Sequence, residues 1–304
     1  MSYLRLAPEP YDKLLEQDLK TAQMNICDYI SYLRKQKTAA HKSVGVCVAA
    51  IRKFYSMNDV QLNWDKIHSF EGDDERQTED RPYTHSEILT LIQRTSQRNR
   101  AIILLMASGG LRVGAVPLLR NKDLEPIDKY SIYKVNVYAR SRKSKYFTFC
   151  SPECRKEIDA YLEWRKRWGE RIEPDSPLFR REYNATTDLE SPNIKPLGSN
   201  AIRFFIQRLL TDTGLRTHEP LMEGKTPKRH VVMMNHGFRK FFETNSFKAG
   251  MNNIYLRRLM GQKSQLEEEP ILGSLNAFSV RRYFPYLQTL ISCYIFVKNV
   301  SYSL

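Results

Sequence analysis

The chain has few of the features that hold a protein in a membrane or staple it covalently. Nowhere does it approach the run of about 18 apolar residues that a membrane-crossing helix requires. The opening residues, MSYLRLAPEPYDK, carry no basic stretch followed by an apolar one, so no secretory signal is expected. Cysteines number five in 304 residues. Cys27, Cys47, Cys150 and Cys293 stand in apolar or aromatic surroundings and read as reduced core residues. Cys150 and Cys154 form a C-x3-C, but no second Cys/His pair follows at zinc-ligand spacing, so no metal site is expected. Internal repeats and extended low-complexity tracts are also missing. These absences leave the expectation of a soluble protein in the reducing environment of the cytoplasm.

Acidic residues are in short supply too. There are 34 Asp/Glu against 48 Lys/Arg, a net charge of +14 and a pI near 9.5. Such an excess points to a polyanionic partner, nucleic acid ahead of an anionic membrane surface. The imbalance is local. Residues 1–80 hold 11 Lys/Arg against 13 Asp/Glu, and the remainder 37 against 21. Much of the early acidity lies in EGDDERQTED, which reads as an exposed linker and puts a domain boundary near 71–82. Length and a hydrophobic content of 41% suit two domains with real cores, here taken as 1–75 and 76–304.

What is present is mostly helical periodicity. Leu15, Leu19, Met24, Ile26, Tyr29, Ile30 and Leu33 recur at helical spacing, and Val44, Val48, Ile51 and Phe54 repeat the pattern. The first 70 or so residues therefore predict a small helical bundle. Thr84 with Glu87 three residues on predicts a capping box. A strongly apolar helix should end at Gly109–Gly110, with a second helix resuming near Val113. SIYKVNVYARSRKSKYFTFC alternates around a polar turn and predicts a β-hairpin. Further helices are expected after Ser151–Pro152, from a Ser199 cap to Gly214, from His236, and over NNIYLRRLMG. YFPYLQTLISCYIFVKNVSYSL closes the chain as an apolar tail.

Three basic constellations suggest chemistry. Arg112 follows a glycine pair and should open a helix, where free N–H groups favour an anion; otherwise it is a plain surface arginine. Arg140, Arg142, Lys143 and Lys145 crowd the hairpin tip, which could track a phosphate backbone or be a solvated turn. In HGFRKFFET, His236 and Arg239 lie three residues apart and share a helix face. Two such groups do not attract each other, so a shared anion is the natural third party, although a histidine near a helix start is often a cap or a core residue.

In this order, the parts resemble the tyrosine recombinase (integrase) family over most of the chain. SGGLRVGAVPLL is similar to its first arginine box, HGFRKFFET to its H-x-x-R box, and YLRRLMGQKS to the stretch that usually ends in Gly-His. DRPYTHSEI, YFTFCSPEC and FRKFFETNSFKAGMN look most like archaeal members. The resemblance implies a mainly α fold: a helical core-binding domain, then an α-rich catalytic domain with a small antiparallel β-sheet, together forming a clamp on duplex DNA. It implies site-specific DNA breakage and rejoining through a 3′-phosphotyrosyl link, without ATP, metal or other cofactor, by a tetramer on DNA. An integrase of a mobile element fits this better than a chromosome-dimer resolvase. Arg112 and Arg239 would clamp the scissile phosphate, Lys143 (or its rival Lys145) would protonate the leaving 5′ oxygen, and His236 would assist proton transfer or bond the phosphate. Arg140, Arg142, Lys145 and Gln262 would contact DNA.

Two positions depart from the family pattern. Gln262 stands where the family has histidine; it can donate a hydrogen bond but cannot carry a proton. The nucleophilic tyrosine commonly follows that position by about ten residues, yet here the next tyrosine is Tyr283, in RRYFPY. Tyr286 and Tyr294 are its rivals, while Tyr255 lies too early and reads as packing. Gln262 and the displaced tyrosine motivate a second reading, a DNA-binding relative that occupies recombination sites without cutting. A type IB topoisomerase, with related chemistry, is a third.

Overall fold

A computed structural model describes residues 11–35, 41–72, 80–181, 195–216 and 232–262. Two compact units divide the chain, with the break between residues 79 and 80. In the first unit, helices α1 (Leu19–Lys35), α2 (His41–Met57) and α3 (Trp64–His68) close around Ala22, Ile26, Ile30, Val44, Val48, Tyr55 and Ile67. The predicted stripe needs correction at two positions: Leu19 and Met24 are exposed, and Ala22 and Cys27 face the core instead. The buried set 22, 26, 30 keeps a strict i+4 spacing that brings its members onto one face. Asn63 caps α3 by accepting from the Lys66 amide at 3.1 Å.

The second unit is built around one helix. Helix α5 (Gln97–Gly109) buries every residue from Ala101 to Ala107, and so is apolar all round. Packed on it are α4 (His85–Gln93), α6 (Pro152–Arg167), α8 (His236–Lys248) and strand β3 (Tyr146–Phe149). Helix α4 starts with the expected capping box: Thr84 Oγ1 accepts from the Glu87 amide at 3.2 Å, and Glu87 Oε2 accepts from the Thr84 amide at 2.7 Å. Ser151 caps α6 through the Cys154 amide at 3.3 Å, with Pro152 at the first helical position. Helix α7 (Ser199–Asp212) differs slightly from expectation, because Gly198 is its N-cap and Ser199 already lies inside it.

The small sheet runs β1 (Leu124–Ile127), β2 (Ile132–Val137), β3 (Tyr146–Phe149), antiparallel throughout. Val137 pairs with Tyr146, so residues 138–145 form the loop of the expected hairpin. Strand β1 was not expected. It is only four residues long and contains Pro126, and a proline is tolerated because this is an edge strand. Helix α9 (Asn253–Leu259) packs on β3, and Ile132, Phe149, Phe242, Met251, Leu256, Leu259 and Met260 form the cluster that binds sheet, α8 and α9 together.

One predicted helix is absent. After Gly110 the chain makes turns and a short 3-10 segment, Val116–Leu118, and then runs extended at Leu119. Pro117 removes one amide donor, and the stretch before strand β1 is too short to nucleate a stable helix. The cysteines at 27, 47, 150 and 154 are free, and no metal-binding cluster occurs among the described residues. Cys293 lies outside them.

Candidate functional site

Helix α5 ends where the candidate site begins. Gly110 adopts a left-handed conformation (φ 63°) and caps the helix through its amide to the Met106 carbonyl at 3.1 Å. The turn that follows carries Arg112, whose carbonyl accepts from the Ala115 amide at 2.9 Å and whose exposed side chain has no hydrogen-bond or ion-pair partner among the described residues. Because no α-helix starts here, the free amides of a helix N-terminus are not part of this site. The reading of Arg112 as a helix opener is corrected accordingly.

The hairpin loop meets this turn. Arg112, Tyr138, Ser141, Lys143, Ser144 and Gly261 line one cavity of about 370 Å³. The loop is shaped by Tyr138, in a left-handed conformation (φ 52°), by the Ser141 amide donating to the Tyr138 carbonyl at 2.7 Å, and by the Ser144 amide donating to Ser141 Oγ at 3.1 Å. These bonds carry Lys143 to the cavity wall. Of the two candidate lysines, Lys143 lines the cavity and Lys145 does not. Lys134 foremost, with a smaller contribution from Lys145, holds the Glu125 carboxyl below its ordinary pKa. Arg140 is used structurally, donating from Nη2 to the Leu118 carbonyl at 2.6 Å, and Arg142 is exposed.

Helix α8 supplies the second arginine. Arg239 is 3% exposed and makes two bonds to the turns on either side: Nη1 donates to the Gly110 carbonyl and Nη2 to the Met260 carbonyl, both at 2.7 Å. It thus ties the C-terminal ends of α5 and α9 together, beside the turn that carries Arg112 and the turn of the cavity-lining Gly261. Burial, and then the like charge of Arg112, pull its pKa down. An anion between two such guanidinium groups would relieve their repulsion.

His236 is exposed at the first position of α8 and does not line the cavity. Burial of part of the ring pushes its pKa down, Lys240 and Arg239 add to this, and Asp80 and Glu243 oppose it. The imidazole is therefore neutral at pH 7. The H-G-F-R spelling has a packing reason besides the histidine and arginine. Tyr83 donates to the Met234 carbonyl at 2.9 Å and stacks on Phe238 at 4.5 Å, and a side chain at Gly237 would come within 2.7 Å of its ring. Lys240 pairs with Asp80 at 2.8 Å and fixes the start of the unit to this helix.

Helix α9 ends in a Schellman motif. The Gln262 amide donates to the Arg257 carbonyl and the Gly261 amide to the Arg258 carbonyl, each at 2.9 Å. Gln262 is half-buried beside Gly261 but is not among the cavity-lining residues. Tyr255 packs against the cluster between sheet and helices, as expected. Tyr283, Tyr286 and Tyr294 lie outside the described residues. The sequence reading missed Tyr138, Ser141, Ser144 and Gly261 as parts of the site. The two tyrosines that bracket the basic run in YARSRKSKY and the glycine of LMG were the available signals.

The mainly helical chain with its three-stranded antiparallel sheet has the fold of tyrosine recombinase catalytic domains. The Tn1549 transposon integrase in complex with transposon right end DNA shares it at a TM-score of 0.58 and 18% identity, over 86% of this chain and 81% of that one. The XerH site-specific recombinase bound to difH substrate, in a pre-cleavage complex, shares it at 0.56 and 13%, over 86% of this chain and 67% of that one. No family model and no curated protein matches the chain. At these identities the likeness establishes the fold.

Proposed function

We propose that the chain is a site-specific DNA recombinase of the tyrosine type, which breaks and rejoins DNA through a 3′-phosphotyrosyl intermediate. The observation that carries this reading is the meeting of Arg112 and Lys143 in one cavity, with the buried Arg239 held beside it. Residues 31, 127 and 96 positions apart in the chain have no folding reason to gather like charges at one place. In this reading Arg112 and Arg239 hold the non-bridging oxygens of the scissile phosphate, as preorganised donors for its developing charge. A tyrosine hydroxyl oxygen attacks phosphorus, the P–O5′ bond breaks, and Lys143 gives the departing 5′ oxygen its proton. His236, neutral at pH 7, is fit to accept the nucleophile's proton. Tyr283 is the proposed nucleophile, with Tyr286 and Tyr294 as rivals. The covalent link conserves bond energy, so no ATP is needed. The first unit serves as the core-binding domain, and the family resemblance implies a tetramer on DNA.

A denaturing gel tests this with a nicked suicide duplex carrying the element's own attachment site. Wild type should give a slow-migrating covalent adduct, and Tyr283→Phe should give none. An adduct that survives in Tyr283→Phe keeps the reaction and moves the nucleophile to Tyr286 or Tyr294. Arg239→Lys should bind the duplex nearly as well as wild type but form adduct at least about a hundredfold more slowly, because a point charge cannot replace the planar fork. A wild type that binds the site and forms no adduct would instead support the non-cleaving DNA-binding reading that Gln262 motivates.

A further inference from the structure

Strand β3 opens with a tyrosine that none of the roles above uses. The Tyr146 ring lies directly under the Gly261 turn: a Cβ at residue 261 would fall 2.4 Å from Tyr146 Cδ1. Its other neighbour is Tyr138, 6.1 Å away between ring centres. Both Gly261 and Tyr138 line the Arg112–Lys143 cavity. The Tyr146 hydroxyl is buried and has no hydrogen-bond partner at bonding geometry, although the Arg239 and Arg112 guanidinium groups both act on it. A buried polar group without a partner is uncommon and costly, so each case needs an explanation. Simple packing does not supply one, since phenylalanine would fill the same space without that cost.

We propose that Tyr146 is a phosphate-binding residue of this site, its hydroxyl donating a hydrogen bond to an oxygen of the phosphate held by Arg112 and Arg239. This deepens the reading of the cavity as a DNA-phosphate site and rests on it. The guanidinium groups that act on the hydroxyl are donors only, so its hydrogen is left for the ligand and the phenol acts as an extension of Arg239 toward the anion. Burial keeps the phenol protonated despite the two arginines, and only the protonated form can donate.

The test compares wild type with Tyr146→Phe, which keeps the ring and removes only the hydroxyl. The first readout is the dissociation constant for inorganic phosphate, followed by NMR or by tyrosine fluorescence, with displacement of that phosphate by a DNA duplex. The second is the thermal midpoint of the free protein, and the third the rate of adduct formation on the suicide duplex. Tyr146→Phe should weaken phosphate binding about tenfold, the worth of one hydrogen bond to a charged group. It should leave the thermal midpoint unchanged or raised, because an unsatisfied hydroxyl has been removed. Adduct formation should slow by at least the same factor. Phosphate binding equal in the two proteins, or no phosphate binding by wild type, would overturn the proposal. Phosphate binding that depends on Tyr146 in a wild type that forms no adduct would uphold this assignment while sinking the recombinase reading.

Discussion

At the scale of single residues, the site depends on backbone conformations that few side chains permit. Gly110 ends α5 at a positive φ, and a Cβ there would come within 2.5 Å of the Phe242 ring. Gly110→Ala should therefore destabilise the second unit by roughly 2 kcal/mol or more, from the left-handed backbone and from overpacking together. Denaturant unfolding would measure it, and a change under about 0.5 kcal/mol would mean that the turn relaxes freely. The same substitution moves the carbonyl that Arg239 grips at 2.7 Å. Arginine is suited to both jobs asked of position 239. Two of its donors brace the turns, and the fork retains further N–H groups for an anion.

At the scale of elements, the beginning of α4 carries a testable pH dependence. Arg81 foremost, along with the Thr84 amide, holds the Glu87 carboxyl below its ordinary pKa of 4.5. A depressed carboxylate contributes stability that is fully present above its unfolded-state pKa and is lost as pH falls through the folded one. The wild type should therefore lose more stability than Glu87→Gln between about pH 5 and pH 3, and the two should converge at the acid end. The difference near neutral pH should be about 1 kcal/mol, the usual worth of a helix cap. Equal acid sensitivity in thermal melts of the two would refute the assignment. A second element-level device is Glu170, which pairs with the buried Arg165 and with Arg180. Arg165 also donates to the Pro177 and Leu178 carbonyls, each at 2.9 Å, and so fastens the segment after α6 to that helix.

At the scale of the whole molecule, charge distribution sets the binding behaviour. The excess of Lys/Arg over Asp/Glu falls after residue 80, in the part that contains the candidate site. Binding to duplex DNA should weaken linearly on a log–log plot against salt. With roughly six phosphates neutralised, the affinity should fall about a thousandfold between about 50 and 200 mM salt. Fluorescence anisotropy at a series of salt concentrations would give the slope, and a flat plot would exclude a phosphate-tracking basic surface.

Helix positions, the capping box, the hairpin and the Gly-Gly stop could be read in the sequence, because each follows from contacts within a few residues. The types of the candidate residues could be read for the same reason, as arginine and lysine in short basic motifs stand out without any partner in view. Other features waited for tertiary structure. The helix expected after Gly110 is not there, since Pro117 and a short connection to the sheet outweigh local propensity. Nothing in YARSRKSKY distinguished Lys143 from Lys145; the bonds of the loop turn one into the cavity and leave the other outside. Tyr146 is one aromatic among 17 tyrosines until β3, α8 and α9 bring Arg239 and Gly261 against it. Periodicity and capping act along the chain and can be read there. Which distant groups share a cavity is decided by packing, which no single stretch of sequence records.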